Sequence, residues 1–139
     1  DLLADTKLAP ELSNEAHYYR AKAYLDAGKT DGAMEDLKVL AKDTRNVYGA
    51  EAKYKVAQIY FDGGQTDKAE QEVLNYIEVS TPHTYWLARS FVLLADVYMK
   101  LGRNLDAKQY LLSLKQNYQA DDDIAGMIES RLEKLKTEN

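Results

Sequence analysis

The side chains best suited to catalysis or metal binding are few in this sequence, and they are not grouped. Only two histidines are present, His17 and His83, and cysteine is absent, which excludes disulfides and thiolate metal sites. A nucleophilic triad needs a histidine that the fold brings beside a serine and an acid, and no pattern in the chain predicts that arrangement. The sequence therefore predicts a protein that is not an enzyme and has no catalytic residue, metal site or cofactor.

Two short motifs could be given a chemical interpretation. Asp121-Asp122-Asp123 could ligate a cation, but a calcium loop spaces its ligands along a longer turn that contains glycine. A charged start to the following helix explains the run better, because carboxylates favour the positive end of the helix dipole. Gly63-Gly64 lacks the residues that surround a phosphate-binding loop. Both motifs are interpreted as features of helix ends.

A frame of tyrosine, glycine and alanine recurs three times along the chain. The glycine follows the tyrosine by four residues and precedes the alanine by five, and successive glycines are 36 and 38 residues apart. Self-similarity at this period is typical of stacked helical hairpins. The three copies are Tyr24/Gly28/Ala33, Tyr60/Gly64/Ala69 and Tyr98/Gly102/Ala107.

Each residue type in the frame has a physical reason. Glycine ends the first helix of a hairpin, because the residue after the last turn often needs a left-handed backbone. Alanine lies one turn into the second helix, where a larger side chain would overpack two close backbones. We expect the residues between them to begin the second helix, with side chains that cap its first turn: Thr30, Thr66 and Asn104.

These spacings resemble the tetratricopeptide repeat over roughly residues 14–118, in the manner of bacterial cell-envelope members of that family. The family's bulky position is occupied here by His17, Lys53 and Phe91, so two of the three copies depart from it. The resemblance implies an all-α fold, a right-handed α-solenoid of three helical hairpins with a C-terminal capping helix. It also implies a non-enzymatic scaffold for protein–protein interaction, and a periplasmic or cell-envelope location.

Repeat boundaries follow from the frame. We expect repeat 1 over residues 13–45 with a helix cap at Ser13 or Asn14, repeat 2 over 46–80 from Asn46, and repeat 3 over 81–120 with a cap at Thr81 before Pro82. Residues 1–12 then form the possible tail of an upstream repeat, since Leu3-Ala4-Asp5-Thr6 is similar to the stretch Leu40–Thr44. Coincidence is the open alternative. On the first interpretation the chain is the C-terminal part of a larger protein.

The first helix of the third repeat is apolar on nearly every face, so other elements must cover it. The tail after Asp123 has the pattern of such a cover, with apolar residues on one stripe of a helix over residues 121–139. A terminal cap with a polar outer face is what a solenoid needs to remain soluble. The stripe consists of Ile124, Ile128, Leu132 and Leu135.

The resemblance also implies a binding site, because the first helices of such repeats line a concave groove. Tyr18, Tyr54 and Val92 share one groove position, where aromatic or apolar side chains suit protein contact. The open alternatives are that the two tyrosines stack on the neighbouring repeat, and that Lys55 pairs with Glu51 one turn earlier. The groove positions in full are Glu15, Tyr18, Tyr19 and Lys22 in repeat 1, Glu51, Tyr54, Lys55 and Gln58 in repeat 2, and Arg89, Val92, Leu93 and Asp96 in repeat 3.

Composition limits the partners. The net charge is −5 and no cluster of lysine and arginine stands out, which argues against nucleic acid and anionic membranes. No apolar run approaches 18 residues, so no membrane span is expected. A protein or peptide is the predicted partner. The alternative is a structural module that forms a homodimer through the apolar third repeat and the C-terminal helix.

Overall fold

Seven α-helices form the structure, a computed structural model that describes residues 10–79 and 81–137. These residues contain no β-strand, and the predicted all-α solenoid of helical hairpins is confirmed. The predicted upstream tail at Leu3–Thr6 lies outside the described residues. The helices are α1 (Pro10–Asp26), α2 (Thr30–Leu40), α3 (Val47–Asp62), α4 (Thr66–Glu78), α5 (Thr84–Lys100), α6 (Asn104–Asn117) and α7 (Ile124–Thr137).

A left-handed glycine closes each of the three hairpins. Gly28, Gly64 and Gly102 have φ of +73°, +81° and +78°, as the frame predicts. In the first turn the Gly28 N–H donates to the Leu25 carbonyl, and the Lys29 N–H donates to the carbonyl of Tyr24 at 2.7 Å. The same two bonds recur at the other glycines, so the frame tyrosine supplies the carbonyl that ends its helix in every copy.

The predicted side-chain caps of the second helices are wrong. Thr30, Thr66 and Asn104 are the first helical residues, and no side chain caps these helix starts. The reason lies in the turn, because the residue after each glycine already occupies the cap position. Its N–H bonds back to the first helix while its carbonyl accepts from the buried alanine four residues later, which leaves no residue for a separate cap.

At the other helix starts, some predictions agree with the structure and others do not. α1 begins at Pro10, ahead of the predicted cap at Ser13 or Asn14, and proline suits a first helical position. Asn46, the predicted start of repeat 2, caps α3 through its side chain, and Asp122 accepts a bond from the Ile124 N–H at the start of α7. Thr81 does not cap α5, which begins at Thr84; its hydroxyl instead donates to the Thr44 carbonyl in the loop between α2 and α3.

Two apolar cores hold the hairpins together, and α3 contributes to both. Ala52 and Val56 of α3 join the core of the first hairpin, whereas Tyr54 and Ala57 face the core shared by α4, α5, α6 and α7. The three frame alanines are fully buried, Ala33 in the first of these cores and Ala107 in the second. The apolar helix α5 is covered on several sides, and Ile124, Ile128 and Leu135 of α7 pack into its core with Leu132 beside them, as the cap pattern predicts.

The family's bulky position pairs with the second helix of its own hairpin at a constant offset of 19 residues. His17 Nδ1 lies 2.7 Å from Asp36 Oδ1, and the Lys53 ammonium donates to Glu72. In the third hairpin Phe91 packs on Tyr110 instead, with ring centroids 6.1 Å apart. The first two hairpins therefore have a polar contact where the third has an aromatic one.

Hydrogen bonds stabilise the negative charge of Asp36 in the contact with His17. Asp36 is 1% exposed, and Arg20 donates to both of its oxygens at 2.8 and 2.6 Å. Burial alone would raise the pKa of Asp36, but the hydrogen bonds from Arg20 and His17 outweigh it, so that pKa lies below its ordinary value. Asp36 is therefore held as a carboxylate inside the first hairpin.

The glycine turns can be tested with a pair of alanine substitutions. A Cβ at Gly64 would meet no atom within 4 Å, so Gly64→Ala isolates the cost of the left-handed backbone, and we expect a loss of about 1–2 kcal/mol in unfolding free energy. Gly126 lies in α7 without a positive φ and is equally unobstructed, so Gly126→Ala should stabilise by about 0.5–1 kcal/mol. Urea unfolding followed by circular dichroism measures both, and changes of the same sign would contradict the assignment.

The Asp36 contact predicts a pH dependence. A lowered folded-state pKa stabilises the fold above the unfolded pKa, and this contribution disappears as the pH falls through the folded value. The destabilisation caused by Asp36→Asn should therefore be largest at neutral pH and shrink below about pH 4. Glu35→Gln, at an exposed position beside it, is the control. Equal pH profiles for the two variants in urea titrations would show that Asp36 is not the linked group.

Candidate functional site

The predicted groove residues lie on consecutive neighbouring helices. α1 packs beside α3, α3 beside α5, and α5 beside α7, and the surface that these four helices form is called here the first-helix face. Each repeated groove position thus recurs on one helix after another. The face is described from its α1 end to its α7 end.

A cluster of tyrosines and lysines forms the α1 end of the first-helix face. The half-buried Tyr18 packs against Tyr48 with ring centroids 4.8 Å apart, and its hydroxyl donates to both oxygens of Glu51 at 3.1 and 3.2 Å. Burial, and then the Glu51 carboxylate, raise the pKa of Tyr18 to about 12. The phenol therefore stays protonated and links the first repeat to the second.

Cations surround the Tyr18 ring. Lys22 and Lys55 hold their ammonium groups 5.4 and 5.8 Å from its centroid, a distance at which the ring quadrupole attracts a cation. Lys55 also forms an ion pair of 2.7 Å with Glu51, which confirms the alternative interpretation of that lysine. Lys22 is exposed and has no acidic partner among the described residues.

Tyr19 is the most accessible aromatic residue of the cluster. Its side chain is 60% exposed, and it meets Tyr18 edge to face with ring centroids 5.3 Å apart. Glu15 is exposed on the same helix and accepts a long hydrogen bond of 3.4 Å from the Tyr48 hydroxyl. At this end of the face, Glu15, Tyr19 and Lys22 all offer side chains to solvent.

The middle of the face is closed by Arg89, and here the expectation of an open aromatic anchor is wrong. Tyr54 is 7% exposed because the Arg89 guanidinium lies 4.9 Å above its ring, with Trp86 packed 5.7 Å away. Its hydroxyl donates to Gln58 at 2.9 Å and accepts from Arg89 at 3.0 Å. Tyr54 therefore links α3 to α5, in agreement with the alternative that it stacks on the neighbouring repeat.

Val92 and Leu93 do not reach the surface either. They are 3% and 2% exposed and belong to the core that α5 shares with α7. The expectation that Val92 offers an apolar anchor is therefore wrong, because the C-terminal helix α7 packs against α5. Of the three residues at this groove position, only Tyr18 remains partly accessible.

Asp96 anchors the α7 end of the face. Arg131 of α7 donates to both of its oxygens, at 2.7 and 2.9 Å, in the bidentate geometry that favours arginine–carboxylate pairs. Beside this pair an open cavity of about 590 Å³ is lined by Phe61, Asp96, Met99, Lys100, Ser130, Arg131 and Lys134. Gln58, between this end and the middle, donates to Asp62 on its own helix at 2.8 Å.

Three polar links thus join successive first helices: Tyr18 to Glu51, Arg89 to Tyr54, and Arg131 to Asp96. The glycine frame did not identify Tyr48, Tyr85 and Trp86, which complete these contacts. Tyr48 and Tyr85 are both the second residue of their helices, so a shared position does exist in the sequence. Counting from the glycines hides it, because Tyr48 precedes Gly64 by 16 residues whereas Tyr85 precedes Gly102 by 17.

The described side chains of the first-helix face are arranged in hydrogen bonds, ion pairs and aromatic contacts. Over residues 10–79 and 81–137, no group of three or more histidine, aspartate or glutamate side chains is placed to hold a metal ion. None of the seven described helices is both long enough and apolar enough to cross a membrane. The side chains of the face instead offer hydrogen bonds, charge and aromatic surface, which are means of recognition.

Comparison with known families matches two parts of the chain. Residues 15–43, which hold α2 and most of α1, match a tetratricopeptide repeat model, and residues 88–117, which hold α6 and most of α5, match another. These matches support the tetratricopeptide repeat family. No curated protein and no solved structure matches the chain. Tetratricopeptide repeats generally mediate protein–protein interaction and are typically not catalytic, so the family and the chemistry of the face agree.

The different roles of two tyrosines on the first-helix face can be measured. Tyr54→Ala empties a buried site and breaks the link to Arg89, so we expect a loss of about 3 kcal/mol in unfolding free energy. Tyr19→Ala removes an exposed ring and should change stability by no more than about 0.5 kcal/mol. Urea unfolding measures both. If Tyr54→Ala does not fold, Tyr54→Phe should still cost about 1 kcal/mol, and a neutral Tyr54→Phe would contradict the linking role.

Proposed function

We propose that the first-helix face binds a peptide or a helix of another protein, and that its α1 end makes the main contact. The observation that carries this proposal is the 60% exposure of Tyr19, held edge to face on Tyr18 beside Lys22, whose ammonium group has no acidic partner in the described part of the chain. An exposed tyrosine presents a large, rigid surface with a polar tip, and such residues are frequent at the centre of protein interfaces.

The rest of the face acts as a rigid support for this contact. Lys55, Gln58, Arg89 and Asp96 are each engaged in hydrogen bonds or ion pairs, so they need little reordering when a partner binds. Preorganisation of this kind reduces the entropy cost of association. Tyr54 and Val92 contribute from beneath the surface, since their burial holds α3 and α5 in place.

An extended partner could run from the tyrosine cluster to the cavity beside Asp96. That cavity combines the apolar side chains of Phe61 and Met99 with the cationic groups of Lys100 and Lys134. Apolar floor and charged rim together are the usual composition of a protein-binding surface. A partner that fills both ends would contact all four first helices.

Self-association through the third repeat and the C-terminal helix is the alternative function. Eight residues of α5 are buried, which removes the apolar surface that first favoured a homodimer, although two leucines of α6 stay exposed. A cell-envelope location remains a prediction, supported only by the repeat length of 36–38 residues.

Site-specific photo-crosslinking tests the proposed face. A benzoylphenylalanine at position 19, introduced in the cells from which the protein comes, should crosslink a discrete partner that the same group at Val39 does not capture. Val39 is a suitable control because it is 45% exposed but lies on α2, outside the first-helix face.

Affinity for the purified partner then gives the decisive measurement. Tyr19→Ala should weaken binding by about 2 kcal/mol in isothermal titration calorimetry, the loss typical of an interface hot spot, without changing the unfolding free energy. Val39→Ala should bind as the wild type does. A partner that binds both variants equally well would show that the first-helix face is not the contact surface.

A further inference from the structure

Two leucines of α6 point to a second surface, away from the first-helix face. Leu105 is 70% exposed, the largest value among the exposed large apolar residues of the described chain, and Leu112 is 44% exposed. They are seven residues apart, so they lie on one stripe of the helix, about 10 Å apart along its axis. A single exposed leucine needs no explanation, but an ordered pair in one groove does.

The two leucines line a groove between α6 and α7, called here the α6–α7 groove. It encloses about 380 Å³, and Leu132 and Leu135 of α7 form its apolar side opposite Leu105 and Leu112. Its length corresponds to about two turns of a helix. The remaining lining residues are polar or charged: Asn104, Lys108, Lys115, Glu129, Glu133 and Lys136.

The internal repeat shows that these leucines are not required by the fold. Counted from the buried alanine of each second helix, the position of Leu105 is occupied by Asp31 in the first repeat and Asp67 in the second. The position of Leu112 is occupied by Lys38 and Leu74. The third repeat alone has leucine at both positions. The first and second repeats form the same hairpin with an aspartate at the position of Leu105.

The charges along the rim of the groove determine which kind of partner it attracts. Lys115 pairs with Glu129 at 2.7 Å across the groove and Lys136 lies 3.8 Å from Glu133, whereas Lys108, midway between the two leucines, has no ion pair in the described part of the chain. A second copy docking symmetrically through α6 would bring the two Lys108 ammonium groups together. Like charges at an interface are costly, and an acidic partner would instead be attracted.

We propose that the α6–α7 groove binds an amphipathic helix of a partner protein, with leucine-like residues packed between Leu105, Leu112, Leu132 and Leu135 and acidic residues beside Lys108. Apolar partner residues spaced i, i+3 or i+4, and i+7 match the two-turn groove. This site is separate from the first-helix face and does not depend on the function proposed for that face.

A synthetic probe tests the chemistry of the site. The probe is a fluorescein-labelled, helix-stapled peptide of about sixteen residues with leucines on one face and glutamates on both flanks, about four turns long. The matched probe has lysine in place of every glutamate. Fluorescence anisotropy with the full chain should show saturable binding of the glutamate probe and binding of the lysine probe weaker by about tenfold.

Substitutions taken from the other repeats locate the binding. Leu105→Asp places in the third repeat the residue found in the first and second, so the variant is expected to fold, and it should weaken the glutamate probe by about tenfold or more. Leu74→Lys places a charged residue on α4, outside the groove, at the position that corresponds to Leu112; it is the control and should bind normally. Lys108→Gln should weaken the glutamate probe and not the lysine probe, and Tyr19→Ala should affect neither.

Several results would overturn the proposal. They are no saturable binding of the glutamate probe, equal affinity for both probes, and unchanged binding by Leu105→Asp. A concentration-dependent dimer that Leu105→Asp abolishes would overturn it as well, because it would make a second copy the occupant. Because Tyr19→Ala is measured in parallel, failure at this groove is distinguishable from failure at the first-helix face.

Discussion

The left-handed backbone at the three glycines is the constraint on which the hairpins depend. With that conformation, one residue between glycine and the next helix is enough to reverse the chain, because two carbonyls of the ending helix are satisfied within the turn. A turn this short fixes which residues of the two helices face each other. Constant geometry explains why the same 19-residue offset can hold an ionic contact at Lys53 and an aromatic one at Phe91.

Stacking of the hairpins rests on apolar burial, and the polar links add orientation more than energy. The ion pairs that join neighbouring hairpins are partly exposed, so solvent screens them and they contribute little to stability. Two of the polar links nevertheless matter for the first-helix face. The bonds from Arg89 to Tyr54 and from Arg131 to Asp96 each cross from one repeat to the next, so they hold the groove positions of adjacent helices in register.

The features that could be predicted from the sequence are those fixed by local chemistry. Only glycine adopts the left-handed turn at low cost, so the frame located all three hairpins and the apolar stripe located α7. The burial of Tyr54 was not predictable in the same way, because it depends on Arg89 and Trp86 from the next hairpin. The exposure of Leu105 was not predictable either, because it depends on how α6 and α7 pack together.

The two surfaces meet in a single helix. Ser130, Arg131 and Lys134 of α7 line the cavity of the first-helix face, whereas Leu132 and Leu135 line the α6–α7 groove. In a solenoid each element contacts only its neighbours, so an event at one surface reaches the other only through shared elements. The tyrosine cluster at α1 is separated from that groove by the intervening helices, and it is expected to act independently of it. Any coupling between two partners must therefore involve the cavity end of the face, where a shift of α7 would disturb the Asp96–Arg131 pair and the apolar groove together.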